Sequence, residues 1–460
     1  MNKLDLLRTR RTELLDKSKE IREKISAVVD ENSFVELDAY SFSRNEFYGE
    51  DAQGEGVVTG LATIDDTTVC VVAQNAAVLS GGVTKANCDK ITKCLTKALE
   101  TGSPVVWFFD SLGVSVGEGV NVMEGMAEVI SLSETLKGEV LQFSVVTGKL
   151  YGTFALLAVN ADFNFMLSSS LCAYASPAVL SAKSGKKLAP EEVAGAKASK
   201  YNEMNTISAE NLADVRAKIV SVLSILPAYS EIAADTADDL NRTSEGLNEK
   251  VCPDCLVKAV CDNGDFIETN KDFCPEVKTG ICRIGGISSA VILFGNGSEA
   301  AELTFENILK IKHFANFAYD YDLPLVTFVN TLGLKTNLET SNTVVLKEIC
   351  NLVSALKGVR RLSVVTGKAV GLGYTLFAAK NLGVDYSYAF ATGSVALFDG
   401  KESAVCFGEI REDKLEEFSE RYAEENADPI NAAKGGFIDN IIEPAFVRPY
   451  VISALQTLVK

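Results

Sequence analysis

Short, mainly apolar runs rich in β-branched residues alternate with longer amphipathic stretches along this chain. In the first half, residues 69–72, 105–109 and 143–146 are such runs, and residues 85–100 and 122–137 space their apolar residues as helices do. The second half repeats the alternation. Residues 290–294, 325–329 and 362–365 read as strands, and 300–319 and 344–356 as helices. A strand with no polar face is buried on both sides, and strands separated by helices pair in parallel. The expected class is α/β with a parallel sheet.

The two halves share more than texture. Ser-Val-Val-Thr-Gly-Lys occurs at 144–149 and again at 363–368, and residues 103–113 and 59–64 have counterparts at 323–333 and 279–284. Three matches in order, at offsets of 219 to 220, indicate a duplicated domain. The chain is therefore read as an N-terminal helix (1–29), a first domain (30–240) and a homologous second domain (241–460), with the linker within 227–256. The charged helix at the start is expected to be a solvated surface helix.

Composition narrows the function. The 460 residues carry 44 Lys+Arg against 62 Asp+Glu, a net charge of −18. That balance argues against nucleic acid and anionic lipid as partners. No run is long and apolar enough to span a membrane, and the first residues lack the apolar core of a signal peptide. The 11 cysteines, an odd and scattered set, fit free thiols in a reducing cytoplasm.

The usual catalytic equipment is missing. The one histidine, His313, lies in a helical pattern and reads as a helix-face residue. No His-Glu-x-x-His or Walker A sequence is present. Cys252-x2-Cys255-x5-Cys261-x12-Cys274 is weighed as a zinc site against free interdomain thiols, and its spacing favours the thiols; no metal is expected. What both halves do repeat is a strand ending in small residues and a Gly-bearing turn into a helix. These are residues 110–113 and 147–153 in the first half, and 330–333 and 366–373 in the second. Turns at helix starts offer unpaired backbone N–H groups, and two side by side would make an oxyanion hole that needs no histidine. Glycine at such turns is also routine in α/β folds, so the spacing alone leaves catalysis open.

At this point the residues resemble a known family. Arg22-Glu23-Lys24-Ile25 through Asp38, Gly54-Glu55-Gly56-Val57-Val58-Thr59-Gly60, Ser80-Gly81-Gly82, and Asp110-Ser111-x-Gly113 with Glu118-Gly119 are similar to segments of the biotin-dependent carboxyltransferase β-type subunits. So is the C-terminal run Asp428-Pro429 through Ile442-Glu443-Pro444. This is the family of acyl-CoA carboxylases and sodium-pumping acyl-CoA decarboxylases, and the resemblance covers the chain in order from Arg22.

The resemblance implies two crotonase-like domains, the first binding acyl-CoA and the second biotin presented by a separate carrier. A carboxyl group would pass between biotin and the acyl α-carbon, with negative charge developing on a thioester and a ureido oxygen. Each oxygen needs preorganised donors. It implies these from the N–H groups of Gly113, Val114, Gly152 and Thr153, and of Gly333, Leu334, Leu372 and Gly373. Gly81, Gly82, Gly113 and Gly152 would line the acyl-CoA site, and Gly333, Gly371, Leu372 and Gly373 the biotin site. Implied partners are a biotin carboxyl carrier protein, a biotin carboxylase or membrane decarboxylase subunit, and further copies of the chain in a dimer or hexamer. The chain departs from the family in placing Leu112, Thr153 and Leu372 where glycines recur, and Ser115 where a basic residue is usual. A catalytically degenerate structural subunit and a biotin-independent crotonase-type enzyme remain the alternatives.

Overall fold

A computed structural model describes residues 2–52, 55–196, 206–226, 233–338, 340–399 and 414–459. Gly54, the final Lys460 and part of the expected linker (227–232) lie outside them. The chain divides into two compact units, Met1–Tyr229 and Ser230–Lys460.

Among the described residues the first unit holds seven strands: β1 (Val35–Leu37), β2 (Val57–Ile64), β3 (Thr67–Gln74), β4 (Val105–Ser111), β5 (Gln142–Tyr151), β6 (Phe163–Met166) and β7 (Leu171–Ala173). They form one sheet in the order β1-β2-β3-β4-β5-β6, with β7 beside β5. The second unit holds β8 (Ile267–Thr269), β9 (Val277–Ile284), β10 (Ile287–Phe294), β11 (Ala301–Leu303), β12 (Leu325–Leu334), β13 (Arg361–Val370), β14 (Tyr386–Phe390), β15 (Ser394–Ala396) and β16 (Asn440–Ile442). Their order is β8-β9-β10-β12-β13-β14-β16, with β11 beside β12 and β15 beside β13. The two sheets share one connectivity, and β11 and β16 are additions of the second unit.

Neither sheet is purely parallel, contrary to the expectation. β2 and β3 run antiparallel, as do β9 and β10. The reason is local. Asp65 and Asp66 take φ of 48° and 62°, and Gly285 and Gly286 take 60° and 79°. Two consecutive left-handed residues make the two-residue hairpin turn, which can only join antiparallel strands. From β3 to β6 and from β10 to β16 the pairings are parallel.

Helices cover the parallel strands. In the first unit, helix Lys85–Thr101 starts at Thr84, whose hydroxyl accepts the Asn87 N–H, and stops at Gly102 with φ 66°. Its Ile91 and Leu95 join Val129 of helix Val120–Thr135 and the stacked Trp107 and Phe109 of β4 in one buried cluster. Each such side chain contributes about 1.5–3 kcal/mol. In the second unit the expected helix at 300–319 starts later, at Phe305. Thr304 and Asn307 cap each other there, and 301–303 instead pair with β12. His313 is exposed on this helix.

The N-terminal segment forms two helices, Lys3–Lys17 and Lys19–Ser26. They separate at Ser18, whose hydroxyl donates back to Leu14 O at 2.7 Å. The first buries nothing, whereas the second buries Ile21 and Ile25. The described part of the expected linker, from residue 233, packs into the second unit. Leu247 is buried there, and Arg448 Nε donates to Asp239 O at 3.0 Å.

Candidate functional site

In each unit the register of the two central parallel strands slips at the same place. β4 and β5 pair from Val105↔Gln142 to Phe109↔Val146 and resume at Ser111↔Leu150. β12 and β13 slip between Val329↔Val365 and Thr331↔Ala369. Asp110 and Asn330 fill the resulting bulges. Asp110 Oδ1 accepts the Lys149 N–H at 3.2 Å, and Asn330 Oδ1 accepts the Lys368 N–H at 3.0 Å. Lys24 Nζ lies 3.2 Å from Asp110 Oδ2. A Cβ at Gly148 or Gly367 would fall 2.2 or 2.3 Å from these side-chain oxygens, so any larger residue at either position must displace the Asp110 or Asn330 side chain. The repeated Thr-Gly-Lys is the chemistry of this bulge.

The bulge brings the two expected turns together. A Cβ at Gly152 would lie 3.7 Å from Gly113 Cα. One at Gly373 would lie 3.4 Å from Gly333 N, and one at Gly333 would lie 3.6 Å from both Leu372 N and Gly373 N. Gly113, Gly152 and Gly333 have φ of 110°, 83° and 87°.

Several of the expected donors already have acceptors. The Gly113 N–H donates to Ser111 Oγ, and the Gly333 N–H to Thr331 Oγ1, each at 3.1 Å. The Gly152 N–H donates to Tyr174 O at 2.9 Å, and the Gly371 N–H to Ala396 O at 3.0 Å. Four glycines named from the sequence therefore shape the turns, and their neighbours are left to donate. Val83 takes the Gly113 carbonyl and the Ser115 N–H, so Val114, between them, turns its N–H to the opposite side. Lys335 N–H donates to Leu303 O, which places the Leu334 N–H likewise. Thr153 begins the turn into helix Ala155–Asn160, and Leu372 and Gly373 begin helix Leu372–Phe377. First-turn N–H groups have no partner within a helix.

Gly81 and Gly82 are buried, and their N–H groups donate to Val78 O and Leu79 O. A Cβ at Gly81 would lie 2.1 Å from Asp110 O, and one at Gly82 would lie 2.4 Å from Ser115 Oγ. They allow close packing against the end of β4 and offer no free donor. Glu118 serves as a cap: its Oε2 accepts the Lys85 N–H at 3.0 Å, and its Oε1 accepts from Ser43 Oγ at 3.2 Å. Glu55, fully buried, accepts from Thr84 Oγ1 at 2.6 Å and the Ser43 N–H at 2.8 Å, and burial pushes its carboxyl above the usual range.

The cysteine expectation needs correction. Cys252 and Cys255 are joined in a disulfide, and Cys261 lies instead against Cys282. Among the described residues no cluster of three or more His, Cys, Asp or Glu side chains could hold a metal ion.

The hydroxyls of Ser111 and Thr331 and the bulge-filling Asp110 and Asn330 were missed from sequence. Their equivalence across the repeat, at the offset of the matching motifs, was the available signal.

Two α/β units of one connectivity, each gathering donor-bearing turns at the end of its central parallel strands, define the crotonase-like class. The chain shares its fold with the transcarboxylase 12S structure, a hexamer described with methylmalonyl-coenzyme A bound: the TM-score is 0.89, the identity 24%, and the match spans 99% of this chain and 95% of that one. The chain belongs to the carboxyl transferase domain family, whose profile matches residues 16–460. It is 31% identical to the methylmalonyl-CoA decarboxylase subunit alpha of Veillonella parvula, over 95% of this chain and 89% of that one. It is 27% identical to the mitochondrial propionyl-CoA carboxylase beta chain of Homo sapiens, over 95% and 84%. It is thus a carboxyltransferase of the biotin-dependent acyl-CoA carboxylase and transcarboxylase family. No helix among its described residues is long and apolar enough to cross a membrane.

Proposed function

We propose that this chain transfers a carboxyl group between biotin, borne by a separate carrier protein, and the α-carbon of an acyl-CoA. The first unit holds the acyl thioester, and its carbonyl oxygen is met by the N–H groups of Val114 and Thr153. The second unit receives biotin, with Leu334, Leu372 and Gly373 as donors. The observation that carries this reading is the repeated division of labour at the turns. In both units a strand-end hydroxyl and a neighbouring strand carbonyl engage the glycine N–H groups, and the adjacent N–H groups are left over.

The second unit's residues suit the ureido group. That group is a planar, neutral acceptor, and Gly333 lets its turn close on the Leu372 and Gly373 nitrogens, since a Cβ there would lie 2.8 Å from Val370 O and 3.6 Å from both nitrogens. When bound, biotin supplies the ureido group that carries the carboxyl. The chain itself supplies fixed donors where negative charge develops, and losing one such donor costs about 10²–10³ in rate. The same donors serve carboxylation and decarboxylation. The biotin carrier and a carboxylase or membrane decarboxylase subunit are further chains. The protein acts as a homo-oligomer in the cytoplasm. The hexamer of the transcarboxylase 12S structure supports assembly, and Val116, 86% exposed, and Leu338, 95% exposed, are apolar positions at which it can be probed.

The test is carboxyl exchange by the purified protein with free biotin and a series of malonyl- and methylmalonyl-type CoA esters. Gly152→Val and Gly373→Val are each expected to lower exchange at least ~10²-fold while circular dichroism and light scattering stay unchanged. Survival of activity in both variants sinks the donor assignment. A wild type inert with every ester and carrier favours the structural-subunit reading, which Leu112 and Leu372 in glycine positions would then explain.

A further inference from the structure

We propose that Cys252 and Cys255 are an exchangeable redox pair, oxidised by low-molecular-weight disulfides and reduced by dithiols. The two are bonded to each other three residues apart, in the sequence Cys-Pro-Asp-Cys. Cys252 is the N-cap of helix Pro253–Val260, with extended φ and ψ of −150° and 157°. Its Sγ accepts the Cys255 N–H at 3.2 Å. A thiolate at Cys252 thus meets both the positive end of the helix and a directed N–H donor, the setting that favours thiolate over thiol. Cys255 lies inside the first turn, and its Sγ accepts no such bond in the structure.

The charges around the pair preserve this bias. Asp254, the acid of the first turn, is exposed, and its carboxylate lies 2.7 Å from Lys278 Nζ of β9. Lys278 also stands 3.8 Å from Glu268 Oε2 of β8. Both cysteines are partly exposed, so a small disulfide reaches them.

Stapling does not account for the bond. A bridge across so few residues removes little chain entropy. The helix is anchored without it: Leu256, Ala259 and Val260 are buried in the second unit's core, and Arg448 donates to Val260 O at the far end. The pair can therefore open and close with the helix in place.

The chemistry balances as two thiol–disulfide exchanges. The Cys252 thiolate attacks a disulfide RSSR, forms a mixed disulfide and expels RS⁻. The Cys255 thiolate then attacks Cys252 Sγ, closes the internal bond and expels the second RS⁻. Two electrons pass to RSSR, and the protons from the two cysteine thiols appear on the released RSH. A dithiol reverses both steps.

The experiment uses the full chain in a Cys350→Ser, Cys406→Ser background, because Cys350 is the one exposed free thiol among the described residues and Cys406 lies outside them. The protein is reduced with dithiothreitol, freed of it and treated with oxidised glutathione. Mass spectrometry of alkylated digests is expected to show the 252–255 bond re-formed and two glutathiones released per chain. Cys255→Ser is expected to stop at one glutathione adduct, on Cys252. At pH 7, Cys252 in Cys255→Ser is expected to alkylate about tenfold faster than Cys255 in Cys252→Ser. Equal or reversed rates overturn the proposal, as does failure of glutathione to restore the bond in the reduced wild type. The wild-type measurement decides if either variant misfolds, and none of these readouts depends on carboxyl transfer.

Discussion

A Cβ at residue 148 would lie 2.2 Å from Asp110 Oδ1, so Gly148 is glycine because Asp110 occupies its side-chain space. Asn330 and Gly367 repeat the relationship. Gly148→Ala is expected to destabilise the protein by about 1–3 kcal/mol in urea unfolding, because the added Cβ must displace the Asp110 carboxylate from its hydrogen bond to the Lys149 N–H. Asp110→Ala removes the obstacle along with the Lys149 cap. The double variant is then expected to fall short of the sum of the singles by at least about 0.5 kcal/mol. Strict additivity would mean that the bulge relaxes freely.

Thr331 Oγ1 accepts the Gly333 N–H at 3.1 Å and donates to Ala301 O at 2.7 Å, wholly buried. Thr331→Val keeps the shape and removes both of these hydrogen bonds. A loss of about 2–4 kcal/mol is expected, whereas Thr331→Ser should recover most of it. Equal losses for Val and Ser would place the effect in packing instead.

Asp30 accepts from Thr63 Oγ1 and Arg216 Nη2, each at 2.6 Å, and from the N–H groups of Asp65 and Asp66. The Thr63 hydrogen bond first, against the opposing effect of burial, and then Arg216 hold its carboxyl well below the usual range. A lowered acid stabilises the fold above its unfolded pKa, near 4, and that contribution fades as pH falls toward the lowered value. Asp30→Asn should therefore destabilise at pH 7 and approach wild type as the pH falls below about 4. Parallel stability curves over that window would show that Asp30 does not titrate low.

Glu55 has the opposite sign. Burial raises its pKa, so its stabilisation is complete below the ordinary glutamate range and declines as pH rises through the raised value. Glu55→Gln removes the decline. Thermal melts should show the variant gaining on wild type as the pH rises above about 4. A constant gap between the two would exclude this titration.

Assembly is tested at the exposed apolar residues. Light scattering at micromolar concentration is expected to give a dimer or a multiple of one. Paired Val116→Asp and Leu338→Asp substitutions should lower that mass with secondary structure retained. A wild-type monomer would remove the basis for oligomeric function.

Much of the fold was legible because burial writes itself into composition. The strands from Val105 and Leu325 open on mainly apolar runs because they are buried, whereas the caps at Thr84 and Thr304 were not read and the second helix was begun too early, at 300. The antiparallel hairpins were missed although Asp65-Asp66 and Gly285-Gly286 carried the turn signal. β11 was absorbed into a helix because three apolar-bounded residues carry no period of their own.

The sequence by itself determined the duplication, the α/β class and the repeated glycine-bearing turns, since a motif repeated at a fixed offset and a mainly apolar run are local properties of the chain. Only the tertiary structure decided which N–H groups remain to donate. Ser111 engages Gly113 and Thr331 engages Gly333 from two residues away, and Tyr174 and Ala396 engage Gly152 and Gly371 from the next strand or just beyond it. A backbone N–H looks the same at every position in a sequence. Its availability depends on which acceptor the folded chain brings within about 3 Å, and that is settled by strand register and turn geometry rather than by residue type.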